Sequence, residues 1–180
     1  MRNDMSGGMV TGLFPDRASA ERAYESVSSR GYGKDDVNLV MSEEARQRHF
    51  ADAGGVTTEL GTKAAKGAGV GGGIGATVGA VLAAIAAIGT TVALPGLGLV
   101  VAGPLAAGIA GAGAGALTGG LVGALVGWGI PEERVKNYEA GIKSGHILMG
   151  VKPRSAEDAA YFENEWSRTG RDVYRSPASV

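Results

Sequence analysis

Few residues in this chain are of the types that enzymes use for covalent or metal chemistry. Cysteine is absent, which excludes disulfides, thiol nucleophiles and thiolate metal sites. The two histidines are His49, in a charged stretch expected to be an exposed helix, and His146, at the start of an expected strand. A metal site or a catalytic triad needs partners that converge in space. The sequence indicates none for either histidine, and for His146 it favours a hydrogen bond at a sheet edge.

Paired carboxylates, a common basis for acid–base catalysis, occur four times. The pairs are Asp35-Asp36, Glu43-Glu44, Glu132-Glu133 and Glu157-Asp158. Adjacent side chains on a helix point in different directions, so these pairs are not arranged as catalytic dyads. The pairs at 132–133 and 157–158 fall in the first turns of predicted helices, where they complement the helix dipole. We expect solvated charge at all four.

One glycine-rich stretch, residues 67–72, matches the spelling of a dinucleotide-binding GxGxxG loop. That loop requires a preceding strand and an acidic residue about 20 positions later. The preceding stretch has helical character, and the next acidic residue is Glu132. The pattern therefore predicts helix packing rather than a cofactor site.

Aromatic residues, the type that stacks on RNA bases, occur in the second half of the chain. They are Tyr138, Tyr161, Phe162 and Trp166. RNA-stacking platforms lie on a sheet face, whereas these positions fall on predicted helices and are expected to seal helices against a sheet. The formal net charge of −1 gives no electrostatic support for nucleic acid. We therefore expect no enzyme activity, no catalytic residues, no cofactor, no metal site and no nucleic-acid partner.

The distribution of charge divides the chain into three segments. Residues 67–131 contain no Asp, Glu, Lys, Arg or His, whereas the flanking segments are mixed and polar. The first polar segment predicts strand, helix, strand and a short charged helix, with Asp16 as N-cap and Gly31 as the glycine that ends the first helix. The last predicts helix, strand, helix, strand, with Pro131 at the first helical position and Ser155 capping the second helix.

Neither polar segment contains a complete core, but together they supply the order β-α-β-β-α-β. This is the order of a ferredoxin-like α+β domain, which we expect to have a four-stranded antiparallel sheet with helices on one face. We predict one such domain, interrupted between its second and third strands. Residues 1–58 form its first half, residues 59–130 a long apolar glycine-zipper helical hairpin, and residues 131–180 its second half.

The interruption contains two rows of small residues repeated every four positions. The first row is Gly67, Gly71, Gly75 and Gly79, continued by Ala83 and Ala87; the second is Gly103, Ala107, Gly111, Gly115, Gly119, Gly123 and Gly127. Residues four apart share a helix face, so each row predicts a groove for close helix packing. Glycine in a helix costs about 1 kcal/mol relative to alanine, so these helices need packing partners. Bulky residues beside the second row, including Leu125 and Val126, are expected to face lipid or another subunit.

Length and flanking charge are compatible with membrane insertion. As helices, residues 67–89 and 104–128 would be about 34 Å and about 37 Å long, against a hydrocarbon core of roughly 30 Å. Trp128 is a suitable interfacial anchor, and the basic residues that flank the hairpin would lie on one side, in the cytoplasm. The connection from Thr90 to Gly103 is as apolar as the helices, however. That composition also suits a soluble homo-oligomer in which many hairpins bury one another.

Two stretches resemble a bacterial family of general-stress, heat-induced proteins. They are VTGLFPDRASAERAYESVSSRGYGKDDVNLVM at 10–41 and GIPEERVKNYEAGIKSGHILMGV at 129–151. The glycine-rich insert between them is also similar. The resemblance implies a ferredoxin-like fold and a stress-associated role, and it implies no catalytic residues.

The sequence as a whole predicts a non-enzymatic, homo-oligomeric, membrane-associated scaffold or stress protein. We expect it in the bacterial inner membrane with its termini in the cytoplasm, and its expected partners are copies of itself and the lipid bilayer. The alternative is a cytoplasmic soluble ring, filament or shell with hairpins buried between subunits. A small-ligand-binding domain on the ferredoxin-like sheet is a third interpretation, which no cluster of polar residues supports.

Overall fold

The computed structural model describes residues 8–50, 92–94, 99–103, 125–126 and 129–177. The elements in chain order are β1 (Val10–Phe14), α1 (Arg17–Ser29), a 3-10 turn (Lys34–Asp36), β2 (Val37–Ser42), α2 (Glu43–Phe50), β3 (Val92–Leu94), β4 (Leu99–Ala102), α3 (Glu132–Lys143), β5 (Ile147–Val151), α4 (Ala156–Thr169) and β6 (Arg171–Arg175). Residues 125–126 are also helical. The described chain is therefore a mixed α/β fold.

The elements of the first polar segment form where the sequence predicts them. The side chain of Asp16 caps α1 by accepting a hydrogen bond from the Ser19 backbone N–H at 2.7 Å. The helix ends before Gly31, whose φ of +80° is the left-handed conformation that glycine adopts after a helix. The charged stretch after β2 forms the helix α2.

The elements of the last polar segment are also confirmed, with one shift. Pro131 is the N-cap residue of α3 and precedes its first helical residue, whereas the sequence predicted it at the first position. Ser155 caps α4, because its Oγ accepts a hydrogen bond from the Asp158 backbone N–H at 3.0 Å. β6 begins directly after Gly170, the residue that ends α4.

The six strands form one sheet in the order β3-β4-β2-β5-β1-β6, and every neighbouring pair is antiparallel. β5 lies between β1 and β2, with Val151 opposite both Val10 and Val37. Helix α1 therefore connects two parallel strands separated by β5, and α4 connects β5 to β6 across β1. The expected four strands are all present, but the sheet is wider by two.

Side chains of the strands alternate between two faces, and each face has its own core. On one face Val10, Leu39 and Met149 pack with residues of α1 and α4, including Val27 and Trp166. The opposite face has a second core, to which α3 contributes. Its buried members are Leu13, Val40, Val101, Leu125, Ile130, Val135, Tyr138, Ile142 and Leu148.

The two helices of the predicted β-α-β-β-α-β order, α1 and α4, share one face as expected, but α3, to which the sequence analysis assigned no face, covers the other one. The apolar stripe of α3, Val135, Tyr138 and Ile142, is completely buried. The second face of the sheet presents Leu13 and Leu148, which would be exposed to water without a covering helix. Burying both apolar surfaces against each other is the favourable arrangement.

The apolar connection from Thr90 to Gly103 is a second correction, since it contains the strands β3 and β4. β4 pairs with β2 and β3 pairs with β4. The sequence contains a signal for this hairpin, because Pro95-Gly96 separates two short runs rich in Val and Leu, a pattern typical of a turn between strands. Apart from residues 125–126, which are helical, the helices predicted on either side of this connection lie outside the described residues.

Candidate functional site

The nine glycines predicted to pack helices lie outside the described residues. They are Gly67, Gly71, Gly75, Gly79, Gly111, Gly115, Gly119, Gly123 and Gly127. The structure does describe the places where two glycine-rich segments, 51–91 and 104–124, join the domain. These junctions and the polar clusters beside them form the candidate functional region.

The junction after β4, at Gly103, lies at one end of the sheet, which we call the lower rim. It is the end where β1 and β2 begin and β5 and β6 finish, so that Val10 lies opposite Val151 there. β4 also finishes at the lower rim, since Ala102 lies opposite Leu39 and Gly103 follows. Gly103, the last described residue before segment 104–124, therefore lies at this end of the sheet.

Gly103 is a close contact between the end of β4 and the start of β2. Its φ is +99°, a conformation that residues with side chains rarely adopt. A Cβ at this position would lie 2.4 Å from the backbone oxygen of Val37 and 3.1 Å from the Cα of Asn38. Only glycine allows the two backbones to approach this closely, so the junction depends on it.

Leu125 anchors the other end of segment 104–124 to the sheet. Its side chain is completely buried in the same core as Val40, Val101 and Leu148, which corrects the expectation that it faces lipid or another subunit. Its neighbour Val126 is 46% exposed and is the only exposed large apolar side chain among the residues that the structure describes. At the end of this segment, Leu125 therefore faces the sheet and Val126 faces outward.

A group of charged and aromatic side chains, which we call the rim cluster, joins the α1–β2 loop to the turn before α4. Its members are Arg30, Tyr32, Asp36, Arg154 and Asp158. Tyr32 Oη donates to Asp158 Oδ2 at 2.6 Å and accepts from the Arg154 backbone N–H at 2.6 Å. Arg30 pairs with Asp158 at 2.9 Å and Arg154 with Asp36 at 2.9 Å. The Arg154 guanidinium also lies 4.2 Å from the centroid of the Tyr32 ring.

The electrostatics of the rim cluster oppose acid–base chemistry near neutral pH. Burial, with the hydrogen bond to Asp158, raises the pKa of Tyr32 to about 12. The hydrogen bond from Tyr32, with the nearby Arg30, lowers the pKa of Asp158. Tyr32 therefore stays protonated and Asp158 stays ionised, whereas a general acid or base works best with a pKa near the operating pH. The cluster is suited to holding two loops together.

A second polar site lies under α3, where Tyr138 is completely buried. Tyr138 Oη lies 2.8 Å from Thr11 Oγ1 and donates to the Asp172 carbonyl oxygen at 2.8 Å. Asp172 has φ of +50°, at an irregularity where the β1–β6 pairing shifts register. Burial raises the pKa of Tyr138. The hydroxyl thus attaches α3 to an irregular strand edge, and it remains protonated.

The positions of the two histidines follow the sequence analysis only in part. His146 Nδ1 lies 3.0 Å from the Gly141 carbonyl oxygen, but it precedes β5, a central strand, and so does not lie at the sheet edge that was predicted. His49 lies on α2, and its carbonyl oxygen accepts a hydrogen bond from Arg17 at 3.3 Å. Within the described ranges, no three histidine, aspartate or glutamate side chains are grouped as metal ligands. Nor does any helix in these ranges combine the length and apolar character that crossing a membrane requires.

The predicted roles of the aromatic residues are mostly confirmed. Tyr138, Phe162 and Trp166 are completely buried between helices and sheet. Tyr161 is partly buried against the core that α1 and α4 share, and the Arg30 guanidinium lies 4.2 Å from the centroid of its ring. The sequence analysis did not identify Tyr32, whose only local signal is an aromatic residue directly after the glycine that ends α1.

The carboxylates of the rim cluster depart from the prediction of simple solvation. Asp36 and Asp158 belong to predicted solvated pairs, yet both are held in ion pairs by arginines distant in the sequence. Glu132 and Glu133 are exposed in the first turn of α3, as predicted.

Comparison with family models, with curated proteins and with solved structures gave no match.

Proposed function

We propose that this chain is a non-enzymatic protein that assembles with copies of itself through its two glycine-rich segments, carried on a ferredoxin-like unit. The unit consists of β1-α1-β2 and β5-α4-β6. Its strands lie in the order β2-β5-β1-β6, which agrees with two interlocked βαβ connections. The observation that carries the proposal is the position of the β3–β4 hairpin, which lies between the two glycine-rich segments in the chain and within the sheet of the domain.

The hairpin restricts how the glycine-rich segments can be arranged. In a two-span membrane hairpin, the connection between the spans lies on the far side of a hydrocarbon core roughly 30 Å thick. Here the connection is paired with β2. Each glycine-rich segment therefore starts and finishes at the same domain. This favours a soluble ring, filament or shell, with the segments buried between subunits, over the inner-membrane scaffold.

The burial of Leu125 supports an outward orientation of the last two glycines of the second row. An α-helix turns by about 100° per residue. A helix that continued in both directions from Leu125 would place Gly123 and Gly127 about 160° away from it. Because Leu125 points into the sheet, these two glycines, which end the row, would face away from the domain. Close approach of such a row to a helix of a second copy would compensate for the low helix propensity of glycine.

The resemblance to heat-induced general-stress proteins leads us to propose that assembly serves a stress response. Under this proposal the activity is the assembly itself, and no substrate or cofactor takes part.

The first experiment is to measure the size of the purified particle by light scattering with and without detergent. A large, monodisperse particle without detergent is the expected result, because the segments then bury one another. Aggregation without detergent, followed by a defined small oligomer in micelles, would favour the membrane scaffold. A monodisperse monomer in both conditions would contradict self-assembly.

The glycine rows are tested by a double substitution, Gly75→Leu with Gly115→Leu. A leucine on each row fills the groove and should reduce or abolish the large particle. The matched control is Gly73→Leu with Gly113→Leu, which makes the same change in composition two positions from each row, on the opposite side of a helix. If both variants assemble like the parent, the rows do not form the contact.

A further inference from the structure

We propose that the β3–β4 hairpin is exchanged between copies in the assembled state, so that β4 of one chain pairs with β2 of its neighbour. This inference rests on the proposed self-assembly and adds a second contact to it. The contact surface is the edge of β2 from Leu39 to Ser42, and its occupant is the hairpin of a second copy of this chain.

The hairpin joins the described domain mainly along one strand edge. β4 pairs with β2 from Leu39 opposite Ala102 to Ser42 opposite Leu99, and β3 pairs with β4 alone. The strands β2-β5-β1-β6 are contiguous without it. If the hairpin left, β2 would become an edge strand with unpaired backbone groups. The hairpin of another copy would fit that edge with the same register and the same side-chain contacts.

The hairpin is stable only when β4 is paired with a β2 strand, because the side chains of β4 are buried on both faces of the sheet. Val100 and Ala102 belong to the core shared with α1 and α4, and Val101 belongs to the core shared with α3. Each is at most 2% exposed. Releasing β4 into water would expose all three side chains, so the hairpin must occupy either its own domain or a neighbour's.

The distribution of charge permits pairing between copies at β2 and β4 but disfavours it at β6, the edge strand on the other side of the sheet. Residues 37–42 and 92–102 contain no charged side chain, so no like-charge repulsion opposes pairing between copies. At the other edge, β6 includes Arg171, Asp172 and Arg175, and charged residues on an edge strand discourage association. Pairing two copies of β6 antiparallel about Val173 would also place arginine opposite arginine, which is unfavourable.

The tethers of the hairpin are long enough to reach a neighbour. Residues 51–91, which number 41, precede the hairpin, and residues 104–124, which number 21, follow Gly103. Even as a helix, 21 residues extend about 31 Å, which is close to the separation expected for two adjoining domains of roughly 13 Å radius of gyration. Both tethers are also the segments proposed to pack between copies, so their packing would bring the hairpin to the neighbouring β2.

The test uses engineered disulfides in the full chain, which has no native cysteine. Met41 and Val100 are partners across β2 and β4, and antiparallel partners have Cα atoms about 4.5–5.5 Å apart, within the disulfide range of about 4.4–6.8 Å. Met41→Cys and Val100→Cys are made on separate chains with different tags, and the chains are co-expressed, assembled and oxidised. Exchange predicts a disulfide-linked pair containing both tags on a non-reducing gel.

The matched control places cysteines at Leu39 and Met149, which are partners on β2 and β5 within the unit. In one chain this double variant should form only an intrachain disulfide, whereas Met41→Cys with Val100→Cys in one chain should form interchain species. Melting temperatures of the reduced variants check that the substitutions leave the fold intact.

The outcomes separate this inference from the proposed function. Mixed-tag disulfides in a large particle support both. A large particle in which the Met41–Val100 disulfide forms only within chains would overturn the exchange and leave self-assembly standing. A monomer with intrachain disulfides would overturn both. Failure of Met41 and Val100 to cross-link in either way would contradict the β2–β4 pairing and with it the exchange.

Discussion

At the scale of single residues, the most consequential group in the described chain is the hydroxyl of Tyr32. It connects a loop of the first polar segment to the turn that starts α4, through Asp158 and the Arg154 backbone. Tyr32 is only 4% exposed, so water cannot easily replace these partners. The Tyr32 hydroxyl therefore links the α1–β2 loop to the turn before α4 at the lower rim.

We predict that Tyr32→Phe destabilises the protein by about 1–3 kcal/mol, because it removes a hydrogen bond to an ionised carboxylate and leaves a backbone N–H unpaired. Denaturant unfolding measures the change. Tyr161→Phe is the control, since the described structure shows no hydrogen bond to the Tyr161 hydroxyl, and its effect should stay within about 0.5 kcal/mol. Equal losses in the two variants would contradict the role given to Tyr32.

The pKa of Tyr32 also predicts a loss of stability in alkaline solution. Because the folded-state pKa, about 12, is above the unfolded value of about 10, folding favours the protonated phenol. This contribution is complete below about pH 10 and disappears as the pH rises toward about 12. Urea unfolding at about pH 9 and about pH 11 should show a larger decrease for the parent than for Tyr32→Phe. Asp158 has the opposite sign, since its lowered pKa gives a contribution that is lost as the solution becomes acidic.

At the scale of secondary-structure elements, the attachments of α3 and of the β3–β4 hairpin decide the shape of the sheet. α3 is held by an apolar stripe and by the Tyr138 hydroxyl, while the hairpin is held by β2 and by the close approach at Gly103. A small chemical change at Tyr138, for α3, or at Gly103, for the hairpin, should therefore lower the stability of that attachment strongly.

Tyr138→Phe should weaken the docking of α3. The change leaves the Asp172 carbonyl without its donor, at a cost of about 1–3 kcal/mol, while the Thr11 hydroxyl keeps the Tyr174 carbonyl as an acceptor at 3.3 Å. Hydrogen exchange should show lower protection for the amides of α3 than for those of α1. Tyr174→Phe serves as the control, because its hydroxyl makes no hydrogen bond among the described residues. A uniform decrease over both helices would indicate global destabilisation instead.

Gly103→Ala should displace the end of the hairpin. Its Cβ would meet the Val37 oxygen at 2.4 Å, and the backbone is in the left-handed region. Gly31→Ala is the matched control, because Gly31 is also left-handed but no atom lies within 4 Å of the position that a Cβ would take there. We expect about 1 kcal/mol for Gly31→Ala from backbone strain alone and about 1–3 kcal/mol more for Gly103→Ala. If the two variants lose equal amounts of unfolding free energy, β2 must shift away from the new Cβ at residue 103 without an energetic cost.

At the scale of the whole molecule, the domain and the glycine-rich segments are connected at a few buried points. Leu125 is the clearest of these, since it is completely buried while the next residue is exposed. It attaches the chain to the sheet directly after segment 104–124.

Leu125→Ala should therefore cost about 2–5 kcal/mol of unfolding free energy, the usual range for a buried leucine. Val126→Ala, at an adjacent but exposed position, should change it by no more than about 0.5 kcal/mol. Light scattering on both variants adds a second observation. If Val126 contributes to contacts between copies, its substitution should reduce particle size without reducing the stability of the domain.

Local sequence patterns were sufficient to predict most of the individual elements. The caps at Asp16 and Ser155, the glycine after α1 and the apolar spacing of the helices all involve residues within a few positions of one another. Such interactions are visible in the sequence because a helix or strand brings near neighbours onto one face. The same patterns predicted the order of the elements in the two polar segments.

Only the tertiary structure decided which distant residues meet. Tyr32 and Asp158 are 126 residues apart, and Thr11 and Tyr138 are 127 apart, and no local periodicity identifies a partner at that distance. The same is true of the uncharged hairpin. Its sequence contains a turn signal at Pro95-Gly96 but nothing that identifies β2 as the partner of β4, and the pairing of β2 with β4 satisfies backbone hydrogen bonds of both strands.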